Sequence, residues 1–314
     1  MKKLLIAVLL IGALFLAACS ESKSDKETVA DGFDQLIEAD TYEATSVVDL
    51  NVDVENMDPF MAPYIDMINN FEISADTKYD GEREMQETVL NMNGQMAPMS
   101  FDVSIPFLQD MKNQTMYVET DSLIENFSMM LGMIPEDLKG KLIKIDMNEL
   151  EGYEEEQINY EDIQNQAIEV VNDYFDEKDE EDFSKEDDYY VVTFDEEDLK
   201  NLMERMMNEL GDELGEEVTE EDIEQMKSDI DEMMEYVTIN TLEVRNKMDG
   251  DYIENQIVNM DFSFDDKEGT AGDIQMAVDT TYQNYNGDIE FTIDPENSEV
   301  IDVQELESLM GPGF

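Results

Sequence analysis

The chain has 314 residues, 81 acidic against 18 basic, a formal charge of −63 and a hydrophobic fraction of 41%. That fraction supports a sizeable core, but the charge leaves no basic footprint for nucleic acid and would be repelled by an anionic membrane surface. Histidine and tryptophan are absent and Cys19 is the single cysteine, which excludes Ser-His-Asp and Cys-His catalysis, a disulfide framework and the common zinc ligand sets.

The first segment carries Lys2 and Lys3, then apolar and small residues from 4 to 18, and closes on Leu16-Ala17-Ala18-Cys19. A positive end, a short apolar middle and small residues before a cut site make a secretory signal peptide. The run is too short for a permanent membrane span. The stretch resembles the lipobox of bacterial lipoproteins. The resemblance implies cleavage after Ala18 and a diacylglyceryl, palmitate-type anchor on Cys19. It places the rest of the chain at the extracytoplasmic face of the cell membrane, in the Gram-positive manner. Removing residues 1–18, with two lysines and no acid, takes the charge from −63 to −65. So acidic a surface repels itself and is relieved by screening, which suits a salty, halophilic exterior. Specific cation storage is the alternative.

Residues 20–27 are polar and aperiodic and read as a flexible tether continuing from Cys19. Over 28–40, Val29, Phe33, Leu36 and Ile37 share one helical face. The period then becomes two: Val48, Leu50, Val52 and Val54 alternate with Asp49, Asn51 and Asp53, a strand with one wet face. Residues 57–70, with Pro59 and Pro63, hold a helical turn or short helix. Further alternation predicts strands at 71–79, 85–92, 99–107, 116–118 and 143–147, with Asp80-Gly81 as a hairpin turn and Pro106 suited to an edge or strand end. A helix at 123–131 intervenes. Residues 149–187 are the most acidic, least patterned stretch, with part of a helix at 163–175 and an exposed loop at 176–182. A brief strand at 190–194 precedes two helices with Met-rich stripes, 199–210 and 223–234. Strands at 242–244, 252–264, 274–282 and 289–293 form a closing meander, and 303–310 suits a last helix.

About ten strands apolar on one face, with four or five helices carrying one apolar stripe, predict an α+β fold. The expected form is a large curved antiparallel sheet, a half-barrel, covered on one face by amphipathic helices. Gln114-Thr115-Met116-Tyr117-Val118 and the stretch 139–146 resemble strand segments of the LolA/LppX-like lipoprotein superfamily, in which tryptophan is frequent where Leu142 stands. The run from Tyr282 to Pro295 resembles the terminal strand pair of those proteins. The resemblance implies a single domain over 28–310, with an acidic helical insert at about 149–234, enclosing an apolar cavity that holds lipid chains or lipidated polypeptides. It implies no catalytic residues.

No GxGxxG, P-loop, GxSxG or HExxH occurs, and Ser20 with Lys23 lies in the tether where nothing lowers a lysine pKa. No cofactor and no metal set is expected; Asp176, Asp179, Glu180 and Asp182 read as a solvated charge run rather than a cation loop. The expectation is therefore a non-catalytic, membrane-anchored lipoprotein binding a lipid or acyl chain. Candidate cavity lining is Phe101, Val103, Met203, Met206, Met226, Met233, Phe262 and Met276. The methionines read equally as core filling. The alternative is an envelope interaction or sensor module that presents its acidic surface to a protein or wall partner and has no internal ligand.

Overall fold

Most of the stretches that alternate apolar and polar residues form strands. The computed structural model describes residues 23–57, 59–96, 99–131, 138–146, 170, 174–175, 177–210, 219–265, 267, 269–303 and 305–306. The helices are α1 (Asp25–Glu38), α2 (Ala62–Asn69), α3 (Thr120–Leu131), α4 (Glu196–Leu210) and α5 (Glu220–Met234). The strands are β1 (Thr41–Glu55), β2 (Glu72–Asp80), β3 (Met85–Met96), β4 (Met99–Asp110), β5 (Thr115–Glu119), β6 (Lys141–Asp146), β7 (Phe183–Glu186), β8 (Tyr189–Thr193), β9 (Val237–Asp249), β10 (Tyr252–Asp265), β11 (Ala271–Gln283) and β12 (Glu299–Asp302). They form one open sheet in the order β12-β6-β5-β4-β3-β2-β1-β11-β10-β9-β8-β7. The fold is α+β, as expected, and the sheet is mostly antiparallel; β12 runs parallel to β6. Among the described residues no helix is long and apolar enough to cross a membrane.

Contacts divide the chain into two compact units. The first comprises Met1–Glu38, Val48–Asn69 and Ile158–Thr281; the second comprises Ala39–Val47, Asn70–Gln157 and Tyr282–Phe314.

In the first unit α1 starts at Asp25, inside the stretch expected to be tether. Ser24 and Glu27 form a reciprocal cap: Ser24 N donates to Glu27 Oε2 at 2.8 Å and Glu27 N to Ser24 Oγ at 3.2 Å, satisfying donors the first turn would otherwise leave open. Val29, Phe33 and Leu36 are buried, the face the 3.6-residue spacing marks. The helix packs on β10, β7 and β8. The hairpin β9–β10 contains two register shifts, between Ile253 and Asn255 and between Asp261 and Phe262. The second puts Asn240 out of register, so that Ile239 and Leu242, three residues apart, lie on one face. Its amide nitrogen then donates to Asp261 Oδ1 at 2.9 Å and Ser263 Oγ at 2.6 Å on the polar face. A Cβ at Gly272 would run into the Asp53 carbonyl oxygen and the Phe264 ring, so the close approach of β11 to β1 requires glycine there.

Around β6 the second unit covers both sheet faces. On one, Leu138, Ile143 and Ile301 form a buried cluster with Leu123, Ile145, Val303 and Leu306 against it. On the other, Leu108, Leu142 and Ile293 do the same with Met85, Tyr117, Phe291 and Val300. Residues 289–293, expected as the last strand, are not one. Ile289 and Ile293 are buried, but the backbone is held by side chains. Glu87, 2% exposed, accepts Thr292 N at 2.5 Å and Ile293 N at 2.7 Å, and Lys78 Nζ donates to Glu290 O at 2.8 Å. A carboxylate with two N–H donors, and Lys78 at 3.3 Å, replaces a neighbouring strand.

Other expectations shift as well. Strands β7 and β12 were not foreseen, and β1 extends back to Thr41. Pro106 pairs opposite Val89 just where β5 stops pairing with β4, at Phe107, so its missing N–H falls where β4 loses one neighbour. In the stretch expected as an exposed acidic loop, Lys178 is buried, and Glu180–Asp182 is a short 3-10 turn. The helix expected at 163–175 and the closing helix at 303–310 lie largely outside the described residues.

Candidate functional site

In the first unit the antiparallel register aligns apolar side chains in rows. Val258 lies opposite both Val244 and Val278, Met260 opposite both Leu242 and Met276, and Phe262 opposite both Ile239 and Ile274. The reverse face is polar: Asn259 Nδ2 donates to Glu243 Oε1 at 2.9 Å, Gln275 Nε2 to Asp261 Oδ2 at 3.1 Å, and Ser263 Oγ to Asp273 Oδ1 at 2.6 Å. One sheet face is thus a ladder of amides and carboxylates that tolerates the acidity of the chain, and the other is greasy.

The apolar rows are unevenly covered. Near α1 the cover is complete: Val244 and Ile253 are buried, as are Asn246 and Gln256, which are joined by a 2.9 Å bond from Gln256 Nε2 to Asn246 Oδ1. Along the remaining rows Ile239, Leu242, Met260, Phe262, Ile274 and Met276 are only half-buried, as are Val48, Leu50, Val52 and Val54 of β1. Stacking two apolar layers would bury such residues fully. This half-covered face is the candidate site.

The eight residues singled out in the sequence are not gathered in one place. Phe262 and Met276 sit on diagonally adjacent positions of this face and are half-buried. Met203 and Met206 are half-buried on α4, and Met233 is 44% exposed on α5. Val103 is buried in the second unit, to which Phe101 also belongs. The side chains of Phe101 and Met226, like Cys19, lie outside the described residues. The residues that sequence reasoning passed over are Leu242, Met260 and Ile274. Their period-two spacing was visible; the bulge at Asn240, which sets the face of Ile239, was not.

The Met-rich helices do less covering than their stripes suggest. α4 and α5 pack on each other, and α5 touches β9. Lys200 Nζ bridges Glu196 and Asp231 at 2.9 Å each, and Lys227 Nζ lies 2.6 Å from Glu204. A cleft of about 630 Å³ is lined by Asp195, Glu196, Glu197, Lys200, Asn201, Glu204, Lys227, Ile230 and Asp231. A second, of about 480 Å³, runs past Tyr174, Lys178, Asp198 and Arg205. There the Lys178 side chain is 3% exposed and its Nζ contacts Asp198 at 2.7 Å and Asp182 at 3.2 Å, and Tyr174 OH donates to Asp198. Burial pulls the Asp198 carboxyl upward, but the bonds from Lys178, Tyr174 and the Asp195 N–H outweigh it and hold it below the ordinary value. Asp182, read from the sequence as part of a solvated run, is therefore an ion-pair partner. Neither cleft includes any of the eight residues, and their charged walls suit no acyl chain.

No family model matches the chain, and neither a curated protein nor a solved structure does.

Proposed function

We propose that the chain is a non-catalytic lipoprotein of the LolA/LppX-like kind. In this reading acylated Cys19 holds it at the extracytoplasmic face of the cell membrane, and an acyl chain lies along the apolar rows of β9, β10 and β11. The observation that supports it is the incomplete cover of those rows beside a fully buried end at α1. An acyl chain supplies the missing layer, gaining about 0.8 kcal/mol per methylene removed from water. The lipobox-like Leu16-Ala17-Ala18-Cys19 supports the anchor, and the net charge of −63 makes attachment through charge to an anionic bilayer unfavourable. Native mass spectrometry of the protein taken from its own membrane tests this. Lipid masses released only on activation are expected. A protein that carries none, and takes none from vesicles, overturns the reading.

A second reading is favoured by the acidic clefts around α4 and α5. Asp195, Glu196 and Glu197 are exposed there, and the helices would present them to a cationic protein or wall partner. Capture of such a partner from envelope extracts, lost at high salt, favours an interaction or sensor module.

A further inference from the structure

Between β1 and β2 the first unit exposes a cluster that its composition does not prepare for. Phe60 is 85% exposed, Met61 50% and Tyr64 54%. Phe60 and Met61 immediately precede α2 and Tyr64 lies in its first turn; α2 is an apolar helix with no buried residue. Residues 59–71 contain one acid, Asp66, in a chain where 81 of 314 residues are acidic. Scattered exposed apolar residues are ordinary; three large ones within five positions, on an otherwise anionic surface, form a patch. The patch is held in place. Asn69, at the end of α2, grips the backbone of β1: Val52 N donates to its Oδ1 at 2.7 Å and its Nδ2 donates to Val52 O at 2.8 Å. The side-chain amide takes the bonds a neighbouring strand would make at Val52, so the helix is fixed to the sheet by its last turn while its first turn projects.

We propose that Phe60, Met61 and Tyr64 dock into the interfacial region of the bilayer that carries the anchor. This rests on the anchorage proposed above. From Cys19 to the start of α1 the chain can reach no more than about 22 Å, and α1 belongs to the same unit as the patch. The tether therefore keeps that unit close to the lipid surface. An aromatic pair with a methionine, nearly free of charge, matches the headgroup–acyl boundary, where amphipathic rings settle. The surrounding acids favour a zwitterionic surface over an anionic one. Docked this way, the first unit presents its apolar rows near the phase from which an acyl ligand is drawn.

The absence of tryptophan makes Phe60→Trp a unique fluorophore at an exposed position. Full-length protein purified with its anchor is reconstituted into phosphatidylcholine vesicles and recovered by flotation. The expected result is a blue-shifted emission, lost with brominated phosphatidylcholine and protected from acrylamide, and reversed when Met61→Ser and Tyr64→Ser are added. Protein that floats but keeps a water-exposed, acrylamide-quenched emission overturns the docking and leaves the anchor standing. A blue shift that precedes vesicles and grows with protein concentration assigns the patch to a second copy and equally overturns it. Protein that does not float at all removes the anchorage and this inference together.

Discussion

The two units solve the same problem differently. Each has strands that are apolar where they face a core. In the second unit both faces are closed around β6, one by the cluster around Leu138, Ile143 and Ile301, the other by a non-strand segment pinned to Glu87, whereas Ile73, Leu90, Met92 and Ile105 on β2–β4 are half-buried. In the first unit α1 closes one end and the rows from Ile239 to Met276 stay half-covered. Since the chain closes one sheet region with little more than a coil and one buried carboxylate, the open rows of the other are a feature of the fold and not a shortage of apolar residues.

The contrast can be broken most sharply with matched truncations. Leu142→Ala, in a closed cluster, should cost about 3 kcal/mol by leaving a cavity, whereas Met260→Ala on the open rows should cost roughly 1 kcal/mol or less in lipid-free protein. Chemical denaturation of the two variants gives the comparison, and equal losses would mean that the rows are as well packed as the core.

Glu87→Ala tests how the second unit closes. Two backbone donors lose a charged acceptor and Lys78 loses its carboxylate partner, a loss of about 2–3 kcal/mol. Amide exchange should show Thr292 and Ile293 deprotected first. Protection unchanged at those two residues would mean that the segment is held by its apolar side chains alone.

The Lys178–Asp198 pair sharpens the comparison from the acid side. Because the Asp198 carboxyl is held below its ordinary value, its contribution is present above the usual carboxylate range. It is lost as pH falls through the lowered folded value. Wild type should therefore melt higher than Asp198→Asn at neutral pH, and the gap should close in acid; a gap independent of pH would remove the ionic role of Asp198.

The smallest effect belongs to Tyr42, stacked on Tyr79 with centroids 5.1 Å apart. Burial pushes its phenol well up from the ordinary value, and among the described residues its hydroxyl has no hydrogen-bond partner. Tyr42→Phe removes a buried, unmatched hydroxyl and should raise stability by about 1 kcal/mol. A loss of stability would show that a bound water satisfies the hydroxyl.

Much of this architecture was legible in the residues. The alternation in β10 and β11 named the apolar face, and Val29, Phe33 and Leu36 named the buried side of α1. What periodicity missed has physical reasons. At 289–293 the alternation is real, but the partner that satisfies the backbone is a side chain 205 residues away in sequence, and no local pattern reports that. At Lys178 a charge inside an acidic run reads as solvated, yet the side chain is buried against Asp198 and over the Phe194 ring. Met203, Met206 and Met233 fall on a helical stripe, but a stripe shows only that a face needs cover and does not name the surface that supplies it.

Amide hydrogen exchange on lipid-stripped protein, with and without added palmitic acid, tests the central claim most directly. Added fatty acid should slow exchange across β9, β10 and β11 and leave β3, β4 and β5 unchanged. Identical exchange in the two conditions, or slowing confined to the second unit, would contradict the assignment of the apolar rows as the binding face.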